Sequence, residues 1–114
     1  TTLITEDVNL PLLEALVLDP TPKALLVVLE TSGSTPVKSG AMMTVDKNLQ
    51  LTGTIGGGCS ENSALREAVR MIGSGEQRCI DVDMTNDVAE EEGMVCGGHL
   101  KVLIQDWPVE GAAQ

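Results

Sequence analysis

The sequence predicts an α+β fold, or a small α/β one: a mixed sheet of about five strands with two main helices, in a single domain spanning residues 1–114. Length is the first reason, because 114 residues fit one compact domain of ~100–150 residues and fall short of two. Hydrophobic periodicity is the second. Two stretches repeat at helical spacing, and five short ones alternate or run continuously as strands do. Order is the third, since the second helix stands between strands.

From about Asn9 to Leu18, the residues Leu12, Leu13, Leu16 and Val17 recur at helical spacing, with Pro11 tolerable only near the start. Asp19, Pro20 and Pro22 end the run. Ala24 to Leu29 is an unbroken apolar stretch rich in Val and Leu, which predicts a central strand buried on both faces. After a loop from Thr31 to Ser39, the runs Ala41–Val45 and Leu49–Thr54 flank Asp46, Lys47 and Asn48, the composition of a hairpin turn. Gly56, Gly57 and Gly58 lead into a helix from Ser60 to Ile72. Its Ala64, Leu65, Ala68, Val69 and Ile72 share one side, while Glu61, Glu67 and Arg70 lie elsewhere. Gly73 and Gly75 stop it. Arg78 to Met84 alternates, with Ile80, Val82 and Met84 on one face and Cys79, Asp81 and Asp83 on the other, and Leu100–Gln105 supplies the last strand.

Composition excludes several functions. With 7 Lys+Arg against 17 Asp+Glu, the formal net charge of −10 argues against unassisted nucleic-acid binding, which needs cationic surface to displace counterions, and against a basic membrane anchor. Phe and Tyr are absent and Trp107 is the sole aromatic residue, so no stacking platform for single-stranded nucleic acid can be assembled and the core must be aliphatic. At 42% hydrophobic and 21% charged the chain still has the makings of a core. No apolar run approaches the ~20 residues that span a bilayer, so the expected location is the cytoplasm. Three widely spaced cysteines, Cys59, Cys79 and Cys96, suit free thiols in a reducing compartment better than a disulfide framework.

Three loops concentrate chemistry: ETSGSTP (Glu30–Pro36), GTIGGGC (Gly53–Cys59) and GMVCGG (Gly93–Gly98). Glycines between a strand and a helix let backbone N–H groups converge at the positive end of the helix dipole, which makes an anion seat; a tight structural turn accounts equally well for the glycines alone. The run lacks the Lys of a P-loop and the spacing of a dinucleotide-binding turn. Cys59, beside the helix start, is a candidate nucleophile or soft ligand, and the glycines around Cys96 bring bare backbone close to any ligand there. The plain reading of an isolated cysteine is a small buried hydrophobe, and Cys79, without glycine flanks, is read as structural. Cys59, Cys96 and His99 are zinc ligands in type, yet no CxxC is present and no metal site is assigned. Ser34 or Thr35 with His99 lacks the third group and the nucleophile elbow of a hydrolase, so no catalytic residue is assigned either. The run Glu90, Glu91 and Glu92 reads as a solvated face.

Taken in order, ETSGSTPVKSGAMM, GTIGGGCSE and EEEGMVCGGHLKVLI resemble the N-terminal domain of the XdhC and CoxI family, accessory factors of molybdenum hydroxylases such as xanthine dehydrogenase. The similarity runs from about Ala24 to Ile104. The resemblance implies an accessory chaperone, a maturation factor without turnover chemistry of its own. Such a factor binds the molybdenum cofactor (molybdopterin) as cargo and supports its sulfuration and insertion into the hydroxylase. The implied partners are the hydroxylase apoenzyme, a cysteine desulfurase and a second copy of the chain in a homodimer. Carried onto this sequence, the implied cofactor-binding residues are Ser34, Thr35, Lys38, Gly56, Gly57, Gly58, Cys59, Glu61, Cys96, Gly97 and Gly98. The alternative is a thiol redox or persulfide-carrying enzyme using Cys59 and Cys96. Two departures stand out: Val37 occupies the place where a basic residue is expected after GSTP, and 114 residues cannot supply the C-terminal Rossmann-type domain of many relatives.

Overall fold

The computed structural model describes residues 10–33, 37–55, 58–83 and 98–107, with the backbone path alone for 58–62. Helix α1 (Leu10–Val17) is followed by strands β1 (Lys23–Ser32), β2 (Met42–Asp46) and β3 (Leu51–Gly53), helix α2 (Gly58–Met71), and strands β4 (Gln77–Asp83) and β5 (His99–Trp107). The strands form one sheet in the order β3-β2-β1-β5-β4. The α+β class is as the sequence predicts. The sheet, however, is antiparallel at every pairing rather than mixed, because α2 joins β3 and β4 at opposite edges instead of linking parallel neighbours.

Alternation along the strands sorts side chains onto two faces. Ala24, Leu26 and Val28 of β1, Met43 and Val45 of β2, and Leu100, Val102 and Ile104 of β5 are buried together with Ala64, Ala68 and Met71 of α2. This inner face is the core, and it is wholly aliphatic as the composition requires. The small Ala64 and Ala68 let the helix approach the sheet closely. On the outer face, Leu25 and Val27 are only half-buried and Leu29 is exposed, which corrects the expectation of a strand buried on both sides. The reason is coverage: α1 has 8 residues and lies against β2 and β3, and among the described residues no other helix covers the outer face of β1, β5 and β4. Of the apolar residues at helical spacing in α1, Leu12 is buried, while Leu13 and Val17 are exposed.

Polar contacts fix the chain where packing does not. The indole Nε1 of Trp107 donates to the Leu16 carbonyl at 2.8 Å and so ties α1 to the end of β5. The buried Lys23 ammonium donates to the carbonyls of Asp19 (2.9 Å) and Thr21 (2.6 Å) in the turn leaving α1, so a burial that is costly for a bare cation is satisfied. At the far end of α2, the Asp106 carboxylate accepts from the backbone N–H groups of Gly73 (2.9 Å) and Gly75 (2.6 Å). That contact links the stop of the helix to β5, 33 and 31 residues away in sequence. The β2–β3 hairpin is closed by Asp46, whose Oδ1 accepts from the N–H groups of Asn48 and Gln50, each at 2.9 Å.

Gly53 ends β3 with φ +84°, and an added Cβ would run into the carbonyl oxygen of Met42 on the neighbouring strand. Gly53→Ala is therefore expected to destabilise the fold by about 1–3 kcal/mol through backbone conformation and close approach together. Asp106→Ala, which strands two backbone donors, is expected to cost about 2–4 kcal/mol. Urea unfolding followed by far-ultraviolet circular dichroism measures both, and a change under 0.5 kcal/mol for either variant would remove that residue's assigned role.

Candidate functional site

Register decides which chain segments meet. Val27 pairs with Met42, Met43 with Gly53, Ser32 with His99, and Asp83 with His99. The last residues of β1, β3 and β4 and the first of β2 and β5 consequently lie at one end of the sheet. The segments carrying ETSGSTP, GTIGGGC and GMVCGG all leave from that end, although residues 30–36, 53–59 and 93–98 are far apart in sequence. Nothing in their spacing reveals this; long-range strand pairing produces it.

The entrance to the glycine run is anchored by Ile55, which is fully buried in the core two residues after Gly53. Helix α2 then begins at Gly58, two residues earlier than the sequence predicts, so Cys59 belongs to its first turn rather than preceding it, together with Glu61. The first turn of a helix leaves backbone N–H groups without helical partners, and the positive end of its dipole coincides with them. This end of α2 shares the loop end of the sheet, because the other end meets Asp106 beside the start of β4. Gly98 is buried immediately before β5. Lys38 is exposed in the β1–β2 connection, where its carbonyl accepts from Ala41 N–H at 3.2 Å. Ser34, Thr35, Gly56, Gly57, Cys96 and Gly97 lie outside the described residues, as do Met84 and Glu90, Glu91 and Glu92.

Val37, which breaks the expected basic pattern, is partly buried against the hydrophobic core, so at this position the chain has an apolar contact in place of a surface charge. Cys79 is exposed, its side chain on the outer face, and fills no core space. His99 opens β5 and stands opposite Asp83 with Nε2 at 3.4 Å from the carboxylate.

The opening residues of ETSGSTP, Glu30, Thr31 and Ser32, meet further polar residues at the same end, of which the sequence singles out neither Asp81 nor Lys101. A bulge between Val28 and Glu30 lets β1 skip Leu29, and it turns Glu30 toward Lys101 on the outer face, carboxylate to ammonium 3.3 Å. Asp81 pairs with Lys101 from the other side. Glu30, Thr31, Ser32, Asp81, His99 and Lys101 line an open depression of about 190 Å³. The hydrogen bond from Lys101 to Glu30, and then the charges of Glu30 and Asp81, hold the Lys101 ammonium above its ordinary pKa. Alternation marks Asp81, Asp83, His99 and Lys101 as facing one way within their own strands, but only the register shows that they face one another. Among the described residues, no three His, Cys, Asp or Glu side chains are grouped to hold a metal ion, and no helix is long and apolar enough to cross a membrane.

An antiparallel α+β domain with three glycine-bearing connections collected at one end of its sheet is thus defined by fold and site together. The chain belongs to the XdhC and CoxI family, whose model matches residues 16–83. That stretch holds the first two glycine-bearing segments and ends before the third. The chain is 31% identical over 83 residues to the uncharacterized protein YqeB of Escherichia coli strain K12, a match covering 73% of this chain and 15% of YqeB. The crystal structure of a xanthine dehydrogenase from Bacillus halodurans is similar with a TM-score of 0.66 and 24% identity, covering 84% of this chain and 29% of that one. The chain therefore spans less than a third of the length of either.

Because Lys101 is raised in the folded state, its contribution to stability is fully present below the ordinary lysine pKa and is lost as pH rises through the folded value. Thermal unfolding between neutral and strongly alkaline pH should show wild type losing slightly more stability than Lys101→Met. Parallel curves for the two proteins would discount the ion pair with Glu30.

Proposed function

We propose that this chain takes part in the maturation of a molybdenum hydroxylase, binding the molybdenum cofactor as cargo at the loop end of its sheet and releasing it to the apoenzyme. The observation that supports this most is the convergence of the three glycine-bearing segments at one end, with the first turn of α2 among them. Family membership supplies the hydroxylase as context.

In this reading the backbone N–H groups at Gly56, Gly57 and Gly58 and the start of α2 receive the phosphate of the cargo. This accommodates an anion in a chain of net charge −10, because fixed dipoles act locally where net charge does not. Cys59, carried on the first turn of α2, and Cys96, on the β4–β5 connection, offer soft thiol ligands toward the metal end. Ser34, Thr35, Lys38 and Glu61 supply polar contacts around the cargo, and Gly97 and Gly98 let the backbone approach it. The chain performs no turnover chemistry. A cysteine desulfurase sulfurates the cargo while it is held, the work proceeds in the cytoplasm, and the carrier acts as a homodimer.

Anaerobic purification from cells with an active molybdenum pathway, followed by oxidation of bound pterin to its fluorescent product, tests the carrier role. Wild type should retain pterin, and Cys59→Ala should retain at most about a tenth as much per chain, as expected for loss of a direct ligand. Absence of pterin from wild type would refute cargo binding by this chain. Equal retention by the variant would remove Cys59 from the site.

A further inference from the structure

Among the described residues, the exposed large apolar side chains gather along one edge of the sheet. Leu10, Leu13, Val17 and Leu18 lie on α1 and directly after it, and Leu49 and Leu51 lie on the β2–β3 hairpin at the edge strand β3. Leu29 and Met42 stand apart, toward the loop end. Helix α1 explains the first group. Its sole polar residue is Glu14, and at ~100° per residue Leu10, Leu13, Glu14 and Val17 share the side turned from the sheet, opposite Leu12, Ala15 and Leu16. A helix apolar on both sides is covered on both sides in a finished assembly, and here the sheet covers one.

At the same edge, Leu49 stands with Leu65, Arg66 and Val69 of α2 around an open groove of about 450 Å³. Leu49 closes the hairpin turn at φ +61°, a left-handed conformation that glycine takes freely and a leucine only under strain, yet its side chain is exposed. The strain therefore presents an apolar side chain at the rim of the groove. Among the described residues, neither Glu14 nor Arg66 has an ion-pair partner. The stripe thus offers apolar surface with one carboxylate, and the groove offers apolar surface with one guanidinium. Within one chain the two cannot meet, because α1 lies on the outer side of β2 and β3 and α2 on the inner side.

We propose that the α1 stripe of one copy seats in the groove of a second copy, with Glu14 beside Arg66, and that the exchange is reciprocal. A two-fold axis in the plane of the sheet, along the β3 edge, sets the outer side of each copy beside the inner side of the other. Both contacts then form at once and assembly closes at two. The proposal rests on the homodimer of the carrier reading and gives that dimer its surface. The surface lies away from the loop end, since Leu49 turns at the opposite end of β2 and β3.

Sedimentation equilibrium of the 114-residue chain over a concentration series tests the surface. Wild type should be dimeric. Leu49→Asn, which keeps the left-handed turn and removes the apolar side chain, should weaken the dimer by about tenfold or more. Glu14→Arg and Arg66→Glu should each weaken it by about tenfold, because every dimer holds that contact twice, and the double variant should return to within roughly threefold of wild type. Unchanged circular dichroism shows that the variants fold. A dimer indifferent to Leu49→Asn, or single charge reversals that the double variant does not rescue, would refute this surface and leave the homodimer standing. A monomer at every concentration would refute surface and homodimer together, with pterin retention still testing the carrier separately. Species growing beyond the dimer would refute the reciprocal closure.

Discussion

The ladder between β1 and β5 runs from Lys23 opposite Trp107 to Ser32 opposite His99, and every other element except the edge strand β3, which pairs with β2, is placed by one of its two strands. β2 pairs with β1 on one side and β4 with β5 on the other. Helix α2 packs across both central strands, and α1 is tethered to the last residue of β5. Because side chains alternate with a period of two, a slip of one residue in this ladder would exchange Leu26, Val102 and Ile104 for Leu25, Leu103 and Gln105 on the inner face. The core would then receive a glutamine, and Asp106 would turn away from the glycines that close α2.

The bulge at Leu29 shows how the same ladder serves two ends. Below it, regular alternation fills the core; above it, the shifted phase returns Glu30 to the outer face beside Lys101. The chain also folds back at this level, since Val28 exchanges hydrogen bonds with Gly40 and Ala41 at 2.7 and 2.8 Å. The first glycine-bearing segment is thereby confined between two fixed points on the sheet, Ser32 and Ala41.

Much of the fold was legible in the sequence because periodicity is a local signal. The apolar run after Lys23, the Asp46–Asn48 turn, the alternation of β4 and the glycine stop of α2 all point to elements that form close to their expected bounds. Depth of burial was less legible: β1 reads as buried on both sides, yet α1 is too short to cover its outer face. Register was not legible at all, because pairing residue 30 with residue 101 is a property of the assembled sheet. That is why the glycine and cysteine motifs stood out as separate loops, while Asp81 and Lys101, which the register brings beside Glu30 of the first loop, did not. Ile55 was hidden for a different reason: within a glycine run it resembles a loop residue, although it is the apolar anchor that fixes where the loop starts.

Trp107 gives the molecule an optical asymmetry. It is the sole aromatic side chain, and it sits at the opposite end of β5 from His99, roughly 27 Å away at the usual rise of a strand. Its indole is held by the Leu16 carbonyl, so its emission reports the docking of α1. A fluorescent guest elsewhere on the sheet would be seen against a protein background of one chromophore at a known address. The loss of tryptophan light to that guest would measure how far along the strands it rests.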